Sequence, residues 1–183
     1  MLNLPNTLTI IRIALIPIFL VFLMIQTQLG AIIAVVIFTI AAVTDGLDGY
    51  IARKRKEVTK VGKLLDPLAD KLLITSALVS LVELGKLPSW IVIIIISREF
   101  IISGLRMVAA TEGIVISASI WGKIKTITQI IAIISVLLDT QPFSFSNLRF
   151  SGAVLIISLV FTIISGIDYI IKSKNIFLKD NVR

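Results

Sequence analysis

The chain contains no cysteine and no histidine. The first absence rules out thiolate nucleophiles, disulfides and cysteine-ligated metals. The second removes the commonest general base near neutral pH and the commonest transition-metal ligand. Charged residues are also scarce, at 16 % of 183. Soluble domains carry about 25 %, so too little charge is present to coat a water-facing shell. No internal repeat and no low-complexity linker divides the chain, which reads as one domain over residues 1–183. The side chains left for chemistry are Asp, Glu, Arg and Lys, a set suited to hard cations and phosphates.

What is present is mostly apolar: 57 % hydrophobic residues, against about 45–50 % in soluble domains. Six apolar segments are predicted as helices, at about Ile10–Ile25, Ala31–Arg53, Val61–Leu84, Pro88–Ala109, Ser119–Leu138 and Ser151–Ile171. Each is near the roughly 20 residues that span a bilayer. No small-residue cleavage site follows the first, so it reads as an uncleaved span rather than a signal peptide. Pro17 inside it is tolerable where neighbouring helices satisfy the freed backbone groups. The connections are too short to hold an extramembrane domain. The expected fold is therefore all-α, a polytopic bundle of six transmembrane helices.

Net charge is +7. With no solvated domain to present a basic face, this does not point to nucleic acid. The bases flank apolar runs, where they meet anionic headgroups or phosphates and set orientation. With the N-terminus inside, one side collects Arg53, Lys54, Arg55, Lys56, Lys60, Lys63, Arg106, Lys123, Lys125 and the basic C-terminal tail. The other side receives Lys86 and Arg149. That asymmetry places both termini in the cytoplasm, and an odd number of spans would spoil it.

Between the second and third segments stands DGLDGYIARKRKEVTKVGKLLDPLAD, residues 45–70, with four aspartates. Carboxylates at membrane depth are costly and rarely accidental. Asp48, Ala52, Asp45 and Gly49 fall within roughly 100° of a helical wheel, so they share one face. Gly62, Asp66 and Asp70 form a second stripe spaced by four. Both aspartate pairs lie roughly 7–13 Å from the inner ends of adjacent antiparallel helices, at about 1.5 Å per residue. Four facing carboxylates repel in low dielectric. Either some are protonated, some are paired with nearby Lys and Arg, or cations fill the space. An all-oxygen donor set fits Mg²⁺ or Mn²⁺. Four carboxylates suffice for two ions about 3.5–4 Å apart, as in phosphoryl-transfer sites.

The pattern Asp45-x2-Asp48-Gly49-x2-Ala52-Arg53-x8-Gly62-x3-Asp66-x3-Asp70 resembles the signature of the CDP-alcohol phosphatidyltransferases, with every signature position present. The resemblance implies a six-helix membrane enzyme, usually a homodimer, that displaces CMP from a CDP-linked lipid with an alcohol. It implies that Asp45, Asp48 and Asp66 hold two divalent ions, Mg²⁺ or Mn²⁺. Asp70 would complete the metal site and accept the proton of the attacking hydroxyl. Gly49, Ala52, Arg53 and Gly62 would line the CDP-lipid pocket. The site would open to the cytoplasmic side of a bacterial-type cytoplasmic membrane, with its acyl chains among the membrane lipids.

Residues 3–13 (NLPNTLTIIRI), 97–106 (SREFIISGLR) and 121–126 (WGKIKT) are similar to the phosphatidylglycerophosphate synthase branch of that family. This implies CDP-diacylglycerol as donor and sn-glycerol 3-phosphate as acceptor. The charges agree independently. Arg98, Arg106, Lys123 and Lys125 add positive charge beyond what the CDP phosphates need, which suits an anionic acceptor. Inositol phosphate or phosphatidylglycerol as acceptor are the nearest alternatives. An intramembrane prenyltransferase shares the Asp-x3-Asp pattern, but that family forms a larger bundle. A divalent-cation carrier would need an outer-half site that the sequence does not mark. A structural pairing of Glu99 with Arg106, seven residues apart, competes with acceptor binding. Arg12 reads equally as a site-facing or a topology charge. Asp139 and Asp168 read as solvated near helix ends, and Trp90 and Trp121 as interfacial anchors.

Overall fold

The computed structural model describes residues 4–55, 60–111, 119–139 and 148–180, with side chains at 7–44, 68–111, 119–139 and 150–173. The described residues form six helices: α1 (Leu4–Met24), α2 (Gln28–Arg55), α3 (Lys60–Glu83), α4 (Ser89–Thr111), α5 (Ile120–Leu138) and α6 (Leu148–Asp180). All six predicted segments are helical. Pro17 sits inside α1 without ending it. The main departure is α6, whose 33 residues extend past the apolar run. No Gly or Pro follows Ile171 to stop the helix, so its polar continuation stays helical.

Local chemistry sets the tight turns. Thr27 caps α2, its Oγ1 accepting the Gly30 N–H at 3.1 Å, the usual work of a helix-start hydroxyl. α3 ends in a Schellman motif. The Lys86 N–H donates to the Leu81 carbonyl at 2.8 Å and the Gly85 N–H to the Val82 carbonyl at 2.9 Å. Gly85 takes the left-handed φ of 67° that this motif needs. Pro88 then blocks any continuation before α4 begins.

α1 packs on α2 and α3, α5 bridges from α6 to α2 and α3, and α4 leans on α3 and α6. Phe19 of α1 and Phe38 of α2 are fully buried, their rings 5.8 Å apart and tilted by 44°. Leu73, Leu78, Ile95 and Ile133 extend this core across α3, α4 and α5. The outside is also apolar: Val21, Val36, Ile93, Met107, Ile156 and Ile171 are all exposed. Apolar residues on every side suit a lipid surround.

Among the described residues, three stretches are long and apolar enough to cross a membrane: Thr7–Met24, Ile120–Leu138 and Phe150–Ser173. α3 begins with charged residues and α4 carries Arg98, Glu99 and Arg106.

Two glycines give opposite expectations. A Cβ on Gly30 would lie 2.8 Å from the Phe22 carbonyl oxygen, whereas one on Gly104 meets nothing within 4 Å. Gly30→Ala is expected to destabilise the purified protein by about 1–3 kcal/mol through forced backbone movement. Gly104→Ala is expected to stabilise it by about 0.5–1 kcal/mol. Thermal unfolding in detergent checks both; equal shifts would contradict the packing of α1 on α2.

Candidate active site

The signature aspartates ride on α2 and α3. The backbones of residues 45–55 and 60–66 are helical, so both predicted stripes lie on regular helix. The four residues between the helices allow only an antiparallel pairing, and α2 and α3 are in contact. The side chains of Asp45, Asp48, Gly49, Ala52, Arg53, Gly62 and Asp66 lie outside the described residues. Among the described residues no group of three or more acidic side chains converges on a metal position. Asp70 is described: it is half-buried on α3, near enough to Lys125 of α5 for their charges to interact. The donor set of the stripe is carboxylate oxygen throughout, which fits a hard divalent cation and little else.

Beside Asp70 the structure assembles a polar network across α4, α5 and α6. Lys125, at 5 % exposure, donates to Oε1 of Glu99. Arg98 Nη1 donates to the same oxygen at 3.3 Å, and its Nη2 to Ser165 Oγ of α6 at 2.5 Å. One carboxylate therefore partners two cations and leaves the trio with a net positive charge. A buried ammonium among apolar helices requires such a partner. Gly166 makes the α4–α6 approach possible, since a Cβ there would press on Arg98 Cγ at 3.3 Å. Two buried donors, Arg98 Nε and Gln129 Nε2, meet no acceptor among the described residues. They leave hydrogen-bonding capacity for water or a ligand oxygen.

Toward the ends of the same helices, Tyr169 of α6 joins α4 to α5. Its hydroxyl oxygen accepts from Arg106 Nη2 at 2.7 Å and from the Ser119 N–H at 3.1 Å. The guanidinium carbons of Arg98 and Arg106 lie 5.7 and 5.0 Å from the centre of its ring, within cation–π range. The neighbouring Asp168 accepts from Ser119 Oγ and, at 2.9 Å, from Lys172. Ser119, the residue before α5, thus spends both its side chain and its backbone N–H on α6.

Measured against expectation, Arg98, Arg106 and Lys125 belong to this assembly, and Lys123 is exposed on α5. Glu99 pairs with Arg98 and Lys125, whereas Arg106 goes to Tyr169. Arg12 is 1 % exposed. It is buried on α1, the helix that packs on α2 and α3. Two readings need correction. Asp168 is not a solvated helix-end residue: it lies inside α6 and ties α5 to Lys172. Asp139 caps the end of α5 and accepts from Ser151 Oγ of α6 at 2.6 Å. Trp121 is 41 % exposed yet stacks on Phe161 at 6.2 Å and 27°. Tyr169, Ser165, Ser119 and Gln129 were not picked out from the sequence. The one available signal was the run of small polar residues on α6, Ser151, Ser158, Thr162, Ser165 and Ser173, which share the buried face with Tyr169.

Comparisons with known proteins agree with the signature. The model of the CDP-alcohol phosphatidyltransferase family matches residues 2–164. The chain is 44 % identical to the CDP-diacylglycerol–glycerol-3-phosphate 3-phosphatidyltransferase of Bacillus subtilis, covering 94 % of this chain and 96 % of that protein. It is 40 % identical to the Haemophilus influenzae protein of the same name, covering 99 % and 98 %. A probable phosphatidylglycerophosphate synthase of Mycobacterium tuberculosis is 37 % identical, covering 93 % and 81 %.

The Glu99–Lys125 pair yields a direct test. Glu99→Ala strands a buried ammonium and is expected to destabilise the protein by roughly 2–4 kcal/mol. In a Lys125→Met background the same change should cost well under half as much. Equal losses in both backgrounds, read by denaturation in detergent, would contradict the pairing.

Proposed function

The chain belongs to the CDP-alcohol phosphatidyltransferase family, and we propose that it transfers the phosphatidyl group of CDP-diacylglycerol to sn-glycerol 3-phosphate, giving phosphatidylglycerophosphate and CMP. The observation that carries this reading is the basic assembly on α4 and α5 beside Asp70. A CDP-lipid alone does not require it, and an acceptor that is itself a phosphate does. The names of the relatives point the same way.

We place the enzyme in a cytoplasmic membrane with six spans, both termini and the active site on the cytoplasmic side. The bias of Lys and Arg toward one set of helix ends supports this. A single domain spans residues 1–183, working as a homodimer with its acyl chains in the bilayer.

Each residue then has a task. Asp45, Asp48, Asp66 and Asp70 would hold Mg²⁺ or Mn²⁺, two ions per site. Ions held by those carboxylates would supply positive charge to offset that of the pyrophosphate and of the departing CMP. Gly49, Ala52 and Gly62 leave room for the nucleotide, and Arg53 meets its phosphates. Arg106, an exposed residue of α4 anchored at Tyr169, takes the acceptor phosphate. Arg98, Lys125 and Lys123 supply the surrounding positive field. Asp70 orients the acceptor hydroxyl and receives its proton. The hydroxyl oxygen forms a bond to the phosphatidyl phosphorus as the bond from that phosphorus to the CMP oxygen breaks.

The purified protein, given both substrates with Mg²⁺, is expected to release CMP and form phosphatidylglycerophosphate. It should prefer sn-glycerol 3-phosphate over inositol phosphate and phosphatidylglycerol. Asp70→Asn is expected to lower kcat by about 10²–10⁴-fold. No CMP release, or preference for another acceptor, would refute the assignment; a fully active Asp70→Asn would refute the role of that residue.

A further inference from the structure

We propose that Tyr169 is a positioning residue whose hydroxyl oxygen sets where Arg106 stands, and through it the affinity for the phosphorylated acceptor. This rests on the reading that Arg106 binds the acceptor phosphate.

An exposed arginine ordinarily samples many rotamers, and holding one for a ligand costs side-chain entropy. Arg106 is exposed on α4, yet its Nη2 donates to Tyr169 at 2.7 Å. The tether is itself immobile. Tyr169 is 4 % exposed and seats on the bare face of Gly122, where a Cβ would lie 3.5 Å from its ring and 3.6 Å from its hydroxyl. The Arg98 guanidinium flanks its ring at 5.7 Å. With one guanidinium edge spent on the phenol, the rest of the fork remains to meet a phosphate.

The same oxygen accepts the Ser119 N–H at 3.1 Å. That N–H belongs to the residue just ahead of α5, and the first two turns of α5 carry Lys123 and Lys125. One phenol oxygen thus fixes both Arg106 and the start of the basic stretch of α5. The ring alone fills the space beside Gly122; only the oxygen makes these two bonds. Packing and positioning are therefore separable by deleting one atom.

Tyr169→Phe keeps the ring and removes that atom. Steady-state kinetics of the full chain in detergent–lipid micelles is expected to show KM for sn-glycerol 3-phosphate raised about five- to tenfold, the scale of one charge-assisted hydrogen bond partly lost. KM for CDP-diacylglycerol and kcat should stay within about twofold, on the same grounds. Inorganic phosphate, as a competitive inhibitor against the acceptor, should weaken by the same factor. Arg106→Ala should raise the acceptor KM further, and adding Tyr169→Phe to it should change little. An unchanged acceptor KM in Tyr169→Phe beside a raised one in Arg106→Ala overturns this inference alone. An unchanged acceptor KM in Arg106→Ala overturns both it and the reading it rests on. A Tyr169→Phe protein that unfolds, or that loses kcat and both KM values together, makes the tyrosine a packing residue and equally overturns the proposal.

Discussion

A charge placed among apolar helices has to be neutralised where it stands, and the arrangement of α4, α5 and α6 follows from that requirement. Lys125 is buried on α5, and Glu99 of α4 supplies the carboxylate that compensates it. The same carboxylate holds Arg98, which reaches on to Ser165 of α6. Burial leaves Lys125 little access to water, so the geometry of its pair is constrained far more tightly than that of a surface pair. Helices that share no strong hydrophobic driving force within lipid are instead joined by a specific polar contact. The Lys125 of that contact also lies near Asp70 of α3.

α6 is the scaffold on which this is built. Its buried face carries small polar residues, with Gly166 against Arg98 and Tyr169 against Gly122 of α5. Small residues let backbones approach, and the Ser165 hydroxyl accepts a hydrogen bond from Arg98 of α4. Ser158 and Thr162 are fully buried there. Thr162 satisfies itself on the Ser158 carbonyl at 2.7 Å. The helix that contributes no signature aspartate thus decides where the cations of its neighbours stand.

Much of this was legible in the residues alone. The six helices follow from hydrophobic run length. The aspartate stripes were legible because spacing of three and four on a helix fixes a face. Partners across helices were not. Asp168 looked solvated because its position along α6 says nothing of Ser119 arriving from α5. Tyr169 sits in the apolar run GIDYII, where an aromatic residue is usual, and its role emerges only when Arg106 and Ser119 meet its oxygen. Arg12 was equally balanced between two readings, and its burial on α1 could not be seen from the sequence. In each case periodicity defines what a helix presents, and tertiary packing decides what receives it.

We propose that the same rule governs the signature aspartates of α2 and α3, with divalent cations as the compensating charge. Titrating Mn²⁺ into the purified protein, with the bound ion followed by electron paramagnetic resonance, tests this assignment most directly. The account predicts about two ions per chain with a spin-coupled signal, as expected for a closely spaced pair, and loss of that signal in Asp66→Asn. A protein that binds no divalent cation at saturation, yet still releases CMP from CDP-diacylglycerol in the presence of a chelator, would contradict it.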